Sequence, residues 1–249
     1  MPKILITGCS SGFGLETAKF FLDRDWDVVA TMRKPQKDLL PASDRLRVSP
    51  LDVTDPASVA RAVVEAGPID VLVNNAGFGA PAPIELTEVE TAVALFQTNT
   101  IGTLAMIQAI LPQFRERRAG TIINVTSSVT LKPLPLVGVY RASKAAVNAL
   151  TESLAAEVTQ FGVRVHLVLP GRSPETRFGK NAFPHLRGLD NSDYAPLIQR
   201  FMTSVRESSG PMTHSPDVAR AIWRAATDPS APPRIPAGAD AEAWMAEAG

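Results

Sequence analysis

The chain of 249 residues has a single cysteine, Cys9, which excludes an internal disulfide framework and a structural zinc site built on thiolates. It has no excess charge: 25 lysines and arginines meet 25 aspartates and glutamates. A neutral chain has no global field to draw in nucleic acid or an anionic membrane, and neither is expected as a partner. Long apolar runs are missing as well. The run in "MPKILITG" stops after three residues, too short for the core of a secretory signal, and no segment is expected to reach membrane-spanning length. These absences together lead to the expectation of a soluble, cytoplasmic protein.

What is present is ordinary globular material, 45% hydrophobic and 20% charged, enough for a real core. Short β-rich runs alternate with helical patterns. "KILIT", "DVVATM", "RLRVSPLDV", "IDVLVNNA", "GTIINVTS" and "VRVHLVLP" read as six strands. Between them, 14–24, 54–67, 87–118 and 140–162 carry 3.6-residue apolar periodicity, with Thr54 or Asp55 before Pro56, and Thr87, as helix starts. Such alternation implies an α/β fold: one Rossmann-type, doubly wound parallel sheet with helices on both faces, spanning 1–249 as a single domain. After Pro170 the pattern loosens into a long polar stretch, and 172–215 is expected to form a functional loop segment. Helices at about 192–208 and 215–227 and a Pro/Ala-rich tail close the chain.

The stretch "ITGCSSGFG" supports two readings. Gly8-Cys9-Ser10-Ser11-Gly12 fits G-x-S-x-G, the elbow that presents a nucleophilic serine, here Ser10. Extended to Gly14, it is also a glycine-rich turn between strand and helix, the setting in which nucleotide phosphates are held. In the second reading Gly8 permits the turn, Gly12 the approach of backbone to a diphosphate, and Gly14 close helix packing, while Ser10 and Ser11 offer hydroxyl donors. A hydrolase needs a histidine and an acid later; His166 falls inside a strand, and His185 and His214 in or near the loose segment. Cys9 is expected as a small filler.

Further along, Tyr140 and Lys144 stand four apart at the start of a helix, on one face. An adjacent ammonium stabilises a phenolate and brings tyrosine toward acid/base duty at neutral pH. Ser127 lies thirteen residues earlier, at the end of the fifth strand, where its hydroxyl can hold a substrate oxygen.

In this order, "TGCSSGFG", "LDV", "NNAG", "TNTIGT", "INVTS", "YRASK" and "LPGR" resemble the short-chain dehydrogenase/reductase family over residues 3 to 176. The resemblance favours the cradle over the elbow. It implies a catalytic set of Ser127, Tyr140, Lys144 and Asn99: Tyr140 as general acid or base, Lys144 lowering its pKa and bonding the nicotinamide ribose, Ser127 polarising the carbonyl, Asn99 supporting a proton relay. No metal is implied. Cofactor contacts carry over to Gly8, Ser10, Ser11, Gly12, Phe13 and Gly14, to Asp52 and Val53 around the adenine, to Asn74, Ala76 and Gly77 near the adenosine ribose, to Tyr140 and Lys144, and to Pro170 and Gly171. Thr176, one position later than the family pattern, is the expected nicotinamide contact.

The end of the second strand lacks an acid. An aspartate there would bond both ribose hydroxyls of NAD; this chain has Met32 followed by Arg33. A guanidinium suits a 2′-phosphate, so NADP(H) is the expected cofactor. The "ATMR" strand end and the long segment after Thr176 are similar to the steroid- and retinol-type branch, which implies a hydrophobic carbonyl or alcohol. Phe178, Phe183, Leu186, Leu189, Tyr194, Phe201, Met202, Leu131, Leu134 and Leu136 are candidate wall residues. The expected activity is a reversible NADP(H)-dependent carbonyl reductase, in a homodimer or homotetramer. A polyol or hydroxy-acid dehydrogenase and a non-catalytic NADP-binding regulator are the alternatives.

Overall fold

The computed structural model describes residues 1–207 and 210–248. Seven parallel strands form one sheet: β1 (Lys3–Ile6), β2 (Asp27–Met32), β3 (Leu46–Pro50), β4 (Val71–Asn74), β5 (Gly120–Val125), β6 (Val163–Pro170) and β7 (Arg234–Ala237), in the order β3-β2-β1-β4-β5-β6-β7. The strand order reverses direction between β1 and β4, and a crevice opens there beyond the carboxyl ends of the strands.

The period of two along each strand divides the core. Ile4 and Ile6 face one side with Val28, Ala30, Val71 and Val73, whereas Leu5, Val29 and Leu72 face the other. The first side is covered by α1 (Gly12–Leu22) and α8 (Ser215–Thr227), sealed by the edge-on aromatics Phe21, Trp26 and Trp223, with ring centroids 5.0–5.8 Å apart. The second is covered by α2 (Pro56–Ala66), α4 (Gly102–Arg117) and α5 (Gly138–Val158). Asp55 caps α2 as its position before Pro56 implies, accepting from Ala57 N at 2.9 Å. Thr87 is not the cap of the next helix: its hydroxyl donates to Pro83 O, and α3 (Val89–Phe96) starts after Glu88.

Three further differences from the sequence expectation have physical causes. The long pattern 87–118 is not one uniform α-helix, because a π-type turn at Gln97–Ile101 separates α3 from α4 and turns Asn99 fully into the interior. The combined stretch Val89–Arg117 is 29 residues long and apolar enough to cross a bilayer by length and composition, which corrects the expectation that no segment reaches that length. In this fold its apolar stripe, Met106, Ile107, Ile110 and Phe114, is core against the sheet. The Pro/Ala-rich tail is also structured: "RIPA" is the seventh strand and Ala239–Ala248 forms α9. Pro236 sits opposite Leu169 on the edge strand, where the missing N–H costs no ladder bond on its outer side.

Residues 171–214 leave the sheet after β6 and return before α8. Within them lie the short helix α6 (Arg177–Ala182) and α7 (Ala195–Glu207); the last residue of the expected helix, Ser208, is outside the described residues.

Candidate active site

A cleft of about 690 Å³ opens at the carboxyl ends of β1 to β5. Its floor is the loop after β1. Gly8 (φ 77°) and Gly12 (φ 57°) both adopt the left-handed conformation that favours glycine. A Cβ on Gly8 would stand 2.9 Å from Ala76 Cα, and one on Gly14 would stand 2.5 Å from both Gly8 O and Asn75 Nδ2. The loop is thus compressed against the turn after β4, leaving its outer side open. Ser11 is the N-cap of α1, and its hydroxyl makes no cap hydrogen bond, so the amides of the first turn and the two serine hydroxyls are available to an anion.

Gly8, Ser10, Ser11, Gly12 and Phe13 all line the cleft, as do Arg33, Asp52, Val53, Ala76, Gly77, Tyr140, Lys144 and Thr176. Gly14 lies behind, in the packing between helix and loop. Met32 is buried at the end of β2 and Arg33 is exposed beside it. Asp52 Oδ1 accepts from Thr54 N (3.0 Å) and Thr54 Oγ1 (2.7 Å). These bonds, with the charge of Arg33 as a smaller cause, hold the Asp52 carboxyl below its usual range. Val53 packs on Gly102, where a Cβ would collide with its side chain.

Asn74 does not line the cleft. It is buried in β4 and donates to Asn124 Oδ1 at 2.8 Å, whose own amide donates to Thr151 of α5. Its neighbour Asn75 does line the cleft, and its amide donates to Thr7 O at 2.9 Å, while Thr7 Oγ1 accepts from Asn75 N and Ala76 N. Thr7 and Asn75 thus join the loops after β1 and β4. Only the "NN" doublet hinted at this, and nothing in the sequence singled out Thr7.

Tyr140 and Lys144 line the cleft, whereas Ser127 lies outside its lining, next to Tyr140; all three are buried. Ser127 follows β5 and caps a short turn by accepting from Val129 N (3.3 Å); it also hydrogen-bonds the Tyr140 hydroxyl. Lys144 Nζ donates to Val125 O at 3.0 Å. Burial pushes Tyr140 up to about 12, against the smaller opposing effect of the Ser127 bond, and pushes Lys144 down to about 8. The expected lowering of the Tyr140 pKa by Lys144 is therefore not the dominant effect in this structure; desolvation is.

The Asn99 side chain is committed to the fold. It accepts from Phe78 N, donates to Phe78 O and donates to Ser143 Oγ, all at 3.0 Å, clamping the loop after Gly77 to α5. A Cβ on Gly77 would meet Asn99 Oδ1 at 2.8 Å and Lys144 Nζ at 3.3 Å, so Gly77 is the gap between the two.

The segment after β6 roofs the cleft. The Thr176 side chain lies 3.4 Å from where a Gly12 Cβ would stand, and its hydroxyl caps α6. Phe178, on α6, sits over Gly79 and tilts against the Tyr140 ring at 5.4 Å. Among the candidate wall residues, Phe178 alone lines the cleft; Phe183 and Leu189 point to solvent, Leu136 is buried behind it, and the Tyr194 hydroxyl donates to Glu85. Residues not singled out from sequence complete this wall: Phe78, Ala94, Thr98 and Asn181, with His185 against the Phe78 ring at 5.5 Å. Pro170 and Gly171 lie outside the lining. Gly171 N donates to Thr213 Oγ1 (2.9 Å), and a Cβ on Gly171 would collide with the carboxylate of Asp240.

Among the described residues no hydrogen bond joins Ser10 to a histidine. His166 is held in β6 by Pro232 O, His214 contacts Glu175, and His185 lies against the Phe78 ring. Cys9 is buried with its thiol pushed up to about 12 by desolvation, an inert filler.

Left-handed glycines pressed onto the neighbouring turn, free first-turn amides and a guanidinium at the end of β2 suit a phosphorylated dinucleotide. The same cleft has room for one, since clefts for small ligands run to about 300–1,000 Å³.

Residues 2–186 match the family model described as short chain dehydrogenase. A 3-ketodihydrosphingosine reductase from Bacteroides thetaiotaomicron is 36% identical over 240 residues, covering 94% of this chain and 87% of that protein. Estradiol 17-beta-dehydrogenase 1 of Rattus norvegicus is 42% identical over 179 residues, 66% of this chain and 52% of that protein. A solved structure, the closed form of serine dehydrogenase complexed with NADP+, superposes with a TM-score of 0.81 at 27% identity over 95% of this chain and 94% of that one.

Proposed function

The chain belongs to the short-chain dehydrogenase family, and on that premise we propose that it is an NADP(H)-dependent oxidoreductase that interconverts a hydrophobic ketone or aldehyde and its alcohol. The observation that carries this reading is one cleft lined by Tyr140, with Ser127 at its hydroxyl, by Lys144, and by the glycine loop and Arg33. The glycine loop and Arg33 would hold the dinucleotide, whose nicotinamide would supply a hydride to the carbonyl carbon in reduction and accept one from the alcohol carbon in oxidation.

The protein supplies the proton. In reduction the Tyr140 hydroxyl donates to the oxygen that gains charge as the carbonyl is reduced, and Ser127, already bonded to Tyr140, orients that oxygen. Burial opposes formation of the Tyr140 phenolate, so a cation is needed beside it. Lys144, one helical turn on and still largely protonated at neutral pH with a pKa of about 8, provides it. Asn99 acts as a positioning residue, fixing Phe78 and Gly77 beside Lys144. Arg33 selects NADP(H): Met32 offers no acid to the ribose hydroxyls, and a charge-assisted bond to a 2′-phosphate is worth about 1.5–3 kcal/mol. Phe78 and Phe178 give the substrate wall its apolar character, and the named substrates of the two relatives are hydrophobic. The outer face of α5, with Ala142, Ala145 and Ala149 at the surface, and Ile101 at the entry to α4 would pair copies into a homodimer or homotetramer.

The test is NADPH oxidation with a panel of hydrophobic ketones and aldehydes by the protein and by Tyr140→Phe. The variant should bind NADPH normally and lose about 10²–10⁴-fold in turnover. Undiminished turnover by Tyr140→Phe would remove Tyr140 as the acid. No turnover by either protein, with normal NADPH binding, would favour the regulator.

A further inference from the structure

The cleft is lined by three side chains that carry a full positive charge, Arg33, Lys144 and Arg177. The first stands at the end of β2 and the second at the inner end of the cleft. Arg177 is the first residue of α6, on the roof, and no motif pointed to it. Its neighbour Thr176 places its side chain over Gly12, and Arg177 lines the same cleft as the glycine loop and the N-terminus of α1. It is exposed, and it makes no hydrogen bond or ion pair with any described residue. The nearest acid in sequence, Glu175, does not neutralise it: that carboxylate accepts from Ser215 N (2.7 Å) and contacts His214 Nδ1 (3.1 Å) at the start of α8. Among the described residues lining the cleft the one acid is Asp52, tied to Thr54.

We infer that Arg177 is a cofactor-binding residue that holds the diphosphate from above, opposite the glycine loop. This rests on the cofactor reading proposed above. An unpaired guanidinium and uncapped first-turn amides lining one cleft can supply the two sides of an anion site, and guanidinium binds phosphate oxygens in a bidentate fork. Because the diphosphate is common to NADP(H) and NAD(H), Arg177 adds affinity without selectivity, whereas Arg33 adds selectivity. The contact also ties the roof to the cofactor. The ends of the roof are pinned, Thr213 N donating to Arg172 O (2.9 Å) and Arg172 N to Asp240 Oδ2 (2.6 Å). Cofactor binding therefore acts on α6, and with it on Phe178 at the Tyr140 ring.

The experiment is a fluorescence titration of the full-length protein, Arg177→Ala, Arg177→Lys and Arg33→Ala with NADPH and with NADH. Arg177→Ala should raise both Kd values about tenfold and by the same factor, the loss of one exposed charge-assisted bond. Arg177→Lys should recover part of that loss, and Arg33→Ala should weaken NADPH alone. Digestion by chymotrypsin gives a second readout: NADP+ should slow cleavage after Phe178 in the unaltered protein and, at the same sub-saturating concentration, slow it much less in Arg177→Ala. Unchanged Kd values in Arg177→Ala, or weakening confined to NADPH, would overturn the assignment while leaving the cofactor reading intact. Binding of neither nucleotide by the unaltered protein would overturn both.

Discussion

The loops at the carboxyl ends of β1 and β4 and the roof formed by residues 171–214 face the same cleft and are held by different forces. The floor is fixed by buried strands and by contacts that leave no space: Gly14 against Gly8 O, Gly8 against Ala76, Thr7 and Asn75 bonding across the switch point. The roof is tied at its base by Gly171 and Arg172 bonding the buried pair Thr213 and Asp240, and farther out by surface contacts, Arg187 to Glu88 and Tyr194 to Glu85. Exposed ion pairs add little stability. On the proposed reading the difference separates duties: the rigid floor would fix the cofactor in place, and the lightly attached roof would shape the substrate wall and close over the cofactor through Arg177.

The contrast is broken most strongly at Gly14. Gly14→Ala places a methyl 2.5 Å from the backbone oxygen of Gly8, which cannot retreat, and should cost about 3 kcal/mol of stability along with cofactor binding. A thermal melt within a degree of the unaltered protein would show that the floor yields. Gly171→Ala strikes the base of the roof. The added methyl displaces Asp240 from Arg172 N and Thr213, for an expected loss of about 2 kcal/mol. Faster chymotryptic cleavage after Phe178 should accompany it, with NADPH affinity reduced less than by Gly14→Ala.

A pH series sharpens the comparison from the floor side. In the unfolded chain Lys144 titrates at its ordinary value of 10.5, but burial lowers it to about 8 in the folded protein. Between those values the unfolded chain binds more protons, so stability of the cofactor-free protein should rise from pH 8 toward pH 10. Above pH 10 Tyr140 works in the opposite sense: it keeps its proton to about 12 when folded and loses it near 10 when unfolded. Urea midpoints at pH 8 and pH 9.5 check the first part, and Lys144→Met should abolish the difference between them. The smallest effect is expected at Arg187→Ala, which cuts an exposed contact to Glu88. Its urea midpoint should be unchanged, while proteolysis of the roof becomes faster.

The same division explains what the sequence revealed. Strand and helix periodicity marked β2, β6 and α8 to the residue, because each is set by alternating or stripe burial against one sheet. Ser127, Tyr140 and Lys144 were legible because strand end and helix start are local features that the sheet brings together. Asn75 and Thr7 were not, since their bonds cross 68 residues of chain. The wall was read worst. Apolar residues such as Phe183 and Leu189 turned out to face solvent, and His185, Asn181 and Arg177 line the cleft because of how short helices dock, which no local pattern encodes. The "RIPA" strand escaped notice because proline is tolerated only by its place at the sheet edge.

The most direct test of the whole account is one titration of the purified protein with NADPH and with NADH, following nicotinamide fluorescence. NADPH binding should be saturable and at least tenfold tighter than NADH binding, the margin expected of Arg33 against a 2′-phosphate. Equal affinities would contradict Arg33 as selector, and binding of neither would contradict the cleft as a dinucleotide site.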